Sequence, residues 1–406
     1  MAKFFVPYEE ALELLLENAA PLGKEKVLFT EALGRVLAQK VYADRNFPEV
    51  PLSAMDGWAV SRGELPGRFR LAGEFPAGSK GPLKSLKEGE ALTVFTGSPV
   101  PKGTYAVVPF EQGRQEGEQV VVDRPFNRGA NVRPVGEDFR EGQLLLEEGT
   151  VITPSEVGLL ATVGAVSVEV FVRPKVALFA TGNEVVEPWE QLPERWWVRN
   201  ANAYSALSMV LEAGAQPSYL GLLPDDEEAT FKALSSALER YDLVVTSGGV
   251  SAGHYDFVKK VIERLGLELI FYKVKVKPGK PVLFAKGEGN KALLSLPGFP
   301  VSTVVAFYLF AWPYLKKLQG AKELFKKRVK GRLVKPYRRK KAERKEFFRA
   351  FYHFNFDEGV YSVEPLENQS SGAISALRGR VALGVIPEGV KELPAGSSVE
   401  LILIKE

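Results

Sequence analysis

Cysteine is missing from the 406-residue chain, which at once excludes disulfides, thiolate-held zinc and a cysteine nucleophile. Histidine is nearly missing: His254 and His353 stand far apart in the sequence, so no histidine-rich metal centre can be assembled. Any metal would be held by oxygen, a donor that suits magnesium better than zinc or copper. A charge excess is lacking as well. The 53 Lys and Arg nearly cancel the 50 Asp and Glu, leaving a net charge of +3, whereas a bulk nucleic-acid binder carries a strong basic excess. Long apolar runs do not occur. The longest, Val301 to Pro313, contains Ser302 and Thr303 and is too short to span a bilayer. Met1 to Val6 carries no apolar signal core. The expectation is a soluble, cytoplasmic protein with no nucleic-acid partner and no membrane partner.

What is present suggests several cores, since domains commonly hold roughly 100–200 residues. In "PYEEALELLLENAA" (7–20), Leu12, Leu15 and Leu16 fall at helical spacing with glutamates opposite, which predicts an amphipathic helix. A second short helix is expected over Thr30 to Gln39. From about Asp44 to Arg133, Gly and Pro recur between short strand-like runs, as in a compact all-β module. "TPSEVGLLATVGA" then predicts a helix and "VSVEVFV" a strand. Between about Arg173 and Leu318, strands at Val176–Thr181, Pro217–Leu223 and Leu243–Ser247 alternate with helical patterns at Asn202–Gly214, Glu227–Tyr241 and Asp256–Leu265, followed by a run at Leu269–Lys277. Alternation of this kind requires crossover connections and a doubly wound, mostly parallel sheet. Beyond Gln319 a basic, aromatic-flanked stretch opens what reads as a small β-domain. Its charges are expected to form a solvated face.

The chemistry is expected at the ends of the central strands. "VVTSGGVSAGHYDF" (244–257) runs from a buried strand through Ser247, Gly248 and Gly249 to Ser251, Gly253 and then Asp256 at a helix start. Glycines let a ligand approach the main chain, a helix N-terminus favours an anion, and Asp256 could hold a cation bridging to it. In "YKVKVKPGKP" (272–281), Lys273, Lys275 and Lys277 would share one strand face, with Lys280 just past a Pro-Gly turn; an oxyanion site and a lysine-protected edge strand both fit. "FATGNEVVE" (179–187) places Glu184 after a strand, and "LPDDEE" (223–228) places Asp225 and Asp226 at a helix start, where one is expected to cap. "SLPGFPVSTV" (295–304) begins a helix near Pro300. Together these strand ends suit a phosphate ester and magnesium. In the β-module, Asp56 of "SAMDGWAV", Thr96 of "FTGSPVPKG" and Asp138 of "RPVGEDFREG" lie in turns that are ordinary taken singly.

These motifs in this order, with "RNANAYSAL" (199–207) and "NQSSGAISAL" (368–377), resemble the MoeA family, the molybdopterin molybdenumtransferases, whose eukaryotic relative forms the last domain of gephyrin. The resemblance covers nearly the whole chain. It implies a multidomain α/β plus β protein: a segmented N-terminal domain (1–43 and 137–172), an inserted β-rich module (44–136), an α/β molybdopterin-binding domain (173–318) and a C-terminal β-barrel (319–406). It implies insertion of molybdate into adenylylated molybdopterin, with magnesium as cofactor and AMP released, by a homodimer that could contact the molybdopterin adenylyltransferase. Carried over residue by residue, Asp56, Thr96, Glu184, Lys273 and Lys277 are catalytic. Ser247, Gly248, Gly249, Ser251, Gly253, Lys280, Pro297, Pro300 and Ser371 bind substrate, and Asp138, Asp225 and Asp256 hold metal. The chain departs from the family at Asn183, where the aspartate of "TGDE" is usual, and at Phe299, where "LPGNP" is usual. Molybdopterin adenylylation, a tungstate-using paralogue and a scaffold role stand as alternatives; molybdate and tungstate are both tetrahedral dianions of nearly equal size.

Overall fold

The structure, a computed structural model, describes residues 2–61, 65–79, 85–249 and 255–405, with the backbone alone for 255–258. By packing, the chain separates into two compact units: Met1–Gln39 with Glu148–Thr153 and Ser167–Glu406, and Lys40–Glu147 with Pro154–Val166. Among the described residues no helix is long and apolar enough to cross a membrane.

The first unit is built on a seven-stranded sheet. Its strands are β1 (Lys3–Val6), β2 (Lys175–Thr181), β3 (Gln216–Leu223), β4 (Leu243–Ser247), β5 (Glu268–Val274), β6 (Leu283–Lys286) and β7 (Ala292–Leu296). In space they run β1-β5-β6-β7-β4-β2-β3. The pairs β1–β5, β7–β4, β4–β2 and β2–β3 are parallel; β6 is antiparallel to both neighbours. The apolar runs of β2 and β4 follow from burial on both faces. Leu178, Leu243 and Val245 enter one core with helices α1 (Tyr8–Glu17) and α2 (Asn202–Glu212). The alternate residues Ala177, Phe179 and Val244 enter a second core with α3 (Glu227–Arg240) and α4 (Tyr255–Arg264). Each Leu, Val or Phe side chain among these, fully buried, contributes on the order of 1.5–3 kcal/mol. The sheet is therefore doubly wound and mostly parallel. The helix α5 (Pro300–Ala306) continues through a π turn (Phe307–Ala311) into Trp312–Leu318. Pro313 lacks the N–H that a regular helix would need there, and a widened turn accommodates the lost bond.

At its C-terminal end the same unit closes a five-stranded barrel. Lys345–Asn355 pairs with Val360–Pro365 and Val381–Ile386, and the ring is completed by Arg328–Leu333 and Ser398–Ile402. The two-residue strand Val276–Lys277, which follows β5, adds to this barrel in parallel beside Lys345 and Glu346. Basic residues of 325–345 pair with acids of the same unit: Arg328 with Glu400 on the facing barrel strand, Arg332 with Glu358 in a turn, and Arg338 with Glu392 in a separate two-stranded ladder.

The second unit holds a six-stranded sheet, in spatial order Thr104–Pro109, Gly57–Ser61, Glu90–Val94, Gly67–Phe75, Gln119–Val122 and Arg114–Glu116. Trp58, Phe69, Val108 and Val120 form its core. One expectation is corrected in the first unit. Thr30–Gln39 is not a helix: a single turn at Phe29–Glu31 gives way to extended chain, with Leu37 bridged to Val170 and Val36 to Val151. Gly34, at φ 73°, breaks the helical path.

Candidate active site

The spatial order reverses between β2 and β4. From β2 the chain winds outward to β3, then returns past β2 to β4 and on to the other side. Ligands of open α/β sheets bind at such a switch point, beyond the carboxyl ends of the strands. A cleft of about 630 Å³ opens there. Thr181 and Gly182 from the end of β2, Ser247, Gly248 and Gly249 from β4, and Pro297 and Pro300 from the turn after β7 all line it. So do Glu184, Asp225, Asn202, Phe299 and Gly372.

The turn after β4 is bare for a steric reason. Gly248 and Gly249 take φ values of 93° and 69°, a region costly to side chains with a Cβ. A Cβ on Gly248 would lie 2.6 Å from Thr181 Oγ1. The hydroxyl of Thr181 in turn donates to the Ser247 carbonyl at 3.2 Å, stitching the two strand ends together. Ser247 is 4% exposed, and its Oγ has no hydrogen-bond partner among the described residues. A buried hydroxyl without a partner is rare in native proteins. Asn202 opens α2 and donates from Nδ2 to the Gly298 carbonyl at 2.7 Å, tying that helix to the turn after β7; its Oδ1 is likewise buried without a partner.

Two carboxylates line the cleft among the described residues, Glu184 and Asp225. Asp226 is the helix cap: its side chain accepts the Ala229 N–H at 2.7 Å, so capping falls on the second of the two aspartates. Asn183 accepts the Asp225 N–H through Oδ1 at 3.4 Å; an aspartate there would offer the same kind of acceptor. Asp256 lies in the first turn of α4, its side chain outside the described residues. Ser251, Gly253 and His254 also lie outside them. Among the described residues no group of three acidic or histidine side chains gathers to hold a metal.

The lysines of 273–280 disperse. Lys273 sits at φ 63°, its Nζ 4.6 Å from the centre of the Tyr272 ring. Lys275 and Lys280 lie over Phe5, at 5.7 and 5.1 Å. Lys277 pairs with Glu346 at 2.9 Å. Glu346 is 2% exposed, also accepts the Tyr337 hydroxyl at 2.8 Å, and lies 3.6 Å from the guanidinium of Arg339. None of the four lysines lines the cleft; among the described residues the basic one that does is Arg199. Ser371 accepts the Val301 N–H through its carbonyl at 2.9 Å, which fixes the barrel segment that brings Gly372 to the cleft.

Arg199 sits on a short strand, Val198–Arg199, paired in parallel with Val185–Val186. The pair is clamped from below. Glu187 accepts the hydroxyls of Tyr204, at 2.8 Å, and of Tyr219, while Asn200 Nδ2 reaches the Tyr219 oxygen at 2.8 Å. Burial, reinforced by the Glu187 carboxylate, pushes the Tyr204 hydroxyl up to about 12 and also raises that of Tyr219, so both remain donors. The segment between the paired strands exposes Trp189 and Trp196.

In the second unit, Asp56 and Thr96 come together. Asp56 Oδ1 accepts the Thr96 N–H at 2.7 Å and its hydroxyl at 2.8 Å, and these donors, the N–H first, hold the carboxyl below its ordinary range. Asp138 is exposed, its N–H donated to the Phe47 carbonyl. Sequence reasoning assigned no role to Arg199, although "RNANAYSAL" begins with it.

Comparison with known proteins gives a consistent picture. The family described as "MoeA N-terminal region (domain I and II)" matches residues 6–164, "Probable molybdopterin binding domain" matches 177–317, and "MoeA C-terminal region (domain IV)" matches 332–404. The chain is similar to a protein of Haemophilus influenzae named molybdopterin molybdenumtransferase, 33% identical with 97% of each chain covered. It is similar to one of the same name from Synechococcus elongatus, at 34% identity with 97% of this chain and 98% of the other covered. Among solved structures it resembles the molybdopterin biosynthesis moeA protein of Pyrococcus horikoshii OT3, with a TM-score of 0.83, 30% identity and coverage of 98% of this chain and 100% of the other.

Proposed function

The chain belongs to the MoeA family of molybdopterin molybdenumtransferases, and from that premise we propose that it inserts molybdate into adenylylated molybdopterin and releases AMP, in a magnesium-dependent reaction of molybdenum cofactor biosynthesis. The observation that carries the reading is the cleft beyond the carboxyl ends of β2 and β4, lined by Glu184, Asp225, Ser247 and the Gly248–Gly249 turn. Bare main chain leaves space for a bulky anion. The unpartnered Ser247 hydroxyl supplies a hydrogen bond to it, and Pro297 and Pro300 hold one wall rigid.

Magnesium demands oxygen donors and is commonly held by one or two carboxylates together with substrate phosphates. Glu184 and Asp225 fit that need, and Asp256 in the first turn of α4 is assigned with them. When bound, the ion supplies Lewis-acid polarisation of a phosphoryl oxygen. Glu184 and Asp225 would hold that ion, and the glycine turn keeps side chains out of the space the phosphoanhydride needs. No protein nucleophile is required. Lys273 and Lys277 as catalytic residues, and Lys280 and Ser371 as substrate-binding ones, are assigned on the family likeness, none of the four being among the cleft's lining residues. Lys277, fixed by Glu346, keeps a half-exposed ammonium, a point charge suited to a tetrahedral oxyanion. In the second unit, Asp56 and Thr96 are assigned as catalytic and Asp138 as a metal ligand on the family likeness, and the protein is assigned as a cytoplasmic homodimer that contacts the molybdopterin adenylyltransferase.

The test is turnover of adenylylated molybdopterin with molybdate near its working concentration. AMP release that requires both magnesium and molybdate, and that is lost in Asp256→Ala with the fold intact, supports the reading. Product formed from molybdopterin and ATP instead would overturn it in favour of adenylylation.

A further inference from the structure

The substrate of the proposed reaction carries phosphate charge, yet the cleft's described ionisable lining is mainly acidic. Glu184 and Asp225 face it, and Arg199 is the one basic side chain among its described lining residues. The lysines that sequence reasoning put forward stand over aromatic rings or against Glu346. Arg199 differs from them. It is exposed, and among the described residues its guanidinium has neither an ion-pair partner nor a side-chain hydrogen bond. A cation left open at the mouth of a cleft is a receptor for an anion, and the guanidinium fork matches phosphate oxygens in pairs.

Its main chain is held firmly. The Val198 N–H donates to the Glu184 carbonyl at 3.0 Å, and the Asn200 N–H to the Val186 carbonyl at 2.8 Å. Asn200, the next residue, is 3% exposed and locked to Tyr219, whose hydroxyl is in turn bound by Glu187. The strand pair carrying Arg199 is thereby the one carrying Glu184 to the same opening. A charged head on a fixed stem, beside a carboxylate assigned to the metal, is the arrangement needed to hold one phosphate while the ion holds another.

We propose that Arg199 is a substrate-binding residue of the cleft, contacting a phosphate oxyanion of the nucleotide-bearing ligand and setting the preference for phosphorylated over uncharged ligands. The inference rests on the phosphate-binding reading of the cleft. Arg199 binds rather than reacts, so its loss raises KM and leaves kcat nearly alone.

The experiment measures binding of AMP and of adenosine, by equilibrium dialysis with magnesium present, to the wild-type protein, R199A and R199K. Wild type is expected to prefer AMP. R199A is expected to lose about tenfold or more of AMP affinity, the range of a lost charge-assisted hydrogen bond, with adenosine affinity unmoved and a weaker dependence on salt. R199K, which keeps the charge without the fork, should fall between. In turnover, R199A should raise KM for adenylylated molybdopterin about tenfold with kcat within about twofold. A wild type that fails to distinguish AMP from adenosine overturns the reading of the cleft. A wild type that does distinguish them, with the ratio retained in R199A, overturns the role of Arg199 alone. An unfolding midpoint lowered in R199A would mark the residue as structural and also overturn it.

Discussion

Replacing Glu346 tests the joint between the α/β sheet and the barrel. Its carboxylate, 2% exposed, receives the Tyr337 hydroxyl and the Lys277 ammonium and faces Arg339. In Glu346→Ala the two cations lose their common counter-charge, and they respond differently. Lys277 is 42% exposed and can turn to water. Arg339 cannot: its side chain is 1% exposed, and its guanidinium is tied to the carbonyls of Val390, Arg344 and Pro387. Removing one partner of a buried pair costs about 3–5 kcal/mol because a charge is left uncompensated. Here the guanidinium–carboxylate distance of 3.6 Å is a Coulomb contact beyond hydrogen-bond length, so the lower end, about 3 kcal/mol, is expected. Glu346→Gln keeps an acceptor for Tyr337 and removes only the charge, for about 2 kcal/mol. The assay is native-state hydrogen exchange over the barrel strand Lys345–Asn355, where each 1.4 kcal/mol is about a tenfold change in protection. Glu346→Ala should lower protection roughly a hundredfold, and the glutamine variant clearly less. Protection unchanged in Glu346→Gln, which removes the charge and keeps the acceptor for Tyr337, would refute the assignment of the cost to Arg339.

Two further outcomes follow from the same geometry. Gly248→Ala places a Cβ 2.6 Å from Thr181 Oγ1 and 3.0 Å from the Thr181 carbonyl at a φ of 93°, and should cost about 2–4 kcal/mol in urea unfolding from strain and overpacking together; a loss under about 0.5 kcal/mol would contradict the stated reason for the bare turn. Asp56, with its ordinary value of 3.8 depressed by the Thr96 N–H and hydroxyl, titrates at lower pH folded than unfolded, so its contribution is present above about 3.8 and fades as the pH falls through the folded value. Thr96→Val should move the Asp56 midpoint upward in a carboxyl-resolved NMR titration, and an unmoved midpoint would show that the hydroxyl has no part in it.

The sheet and the bare turn were legible because both rest on local chemistry. Strands buried on two faces must read as unbroken apolar runs, and a left-handed turn must read as glycine. Asp226 as a cap was legible in the same way. Thr30–Gln39 misled because its small and apolar residues fit a helical period. Its pairing with Val151 and Val170 depends on residues far along the chain. The Lys277–Glu346 pair escaped for the same reason, since the barrel that supplies the carboxylate is distant in sequence. Arg199 was visible as a letter, but its freedom from partners is a property of the folded surroundings.

The opening beyond the ends of β2 and β4 is made by the direction in which the chain turns, and the bare Gly248–Gly249 turn keeps its floor clear. Crossovers that leave for opposite sides of a sheet carry the connections beyond the strand ends apart, while the ends themselves stay paired. Substitutions such as Asn183 and Phe299 can therefore alter the upholstery of the chamber without collapsing its walls, and selectivity among similar anions is free to drift while the vault endures.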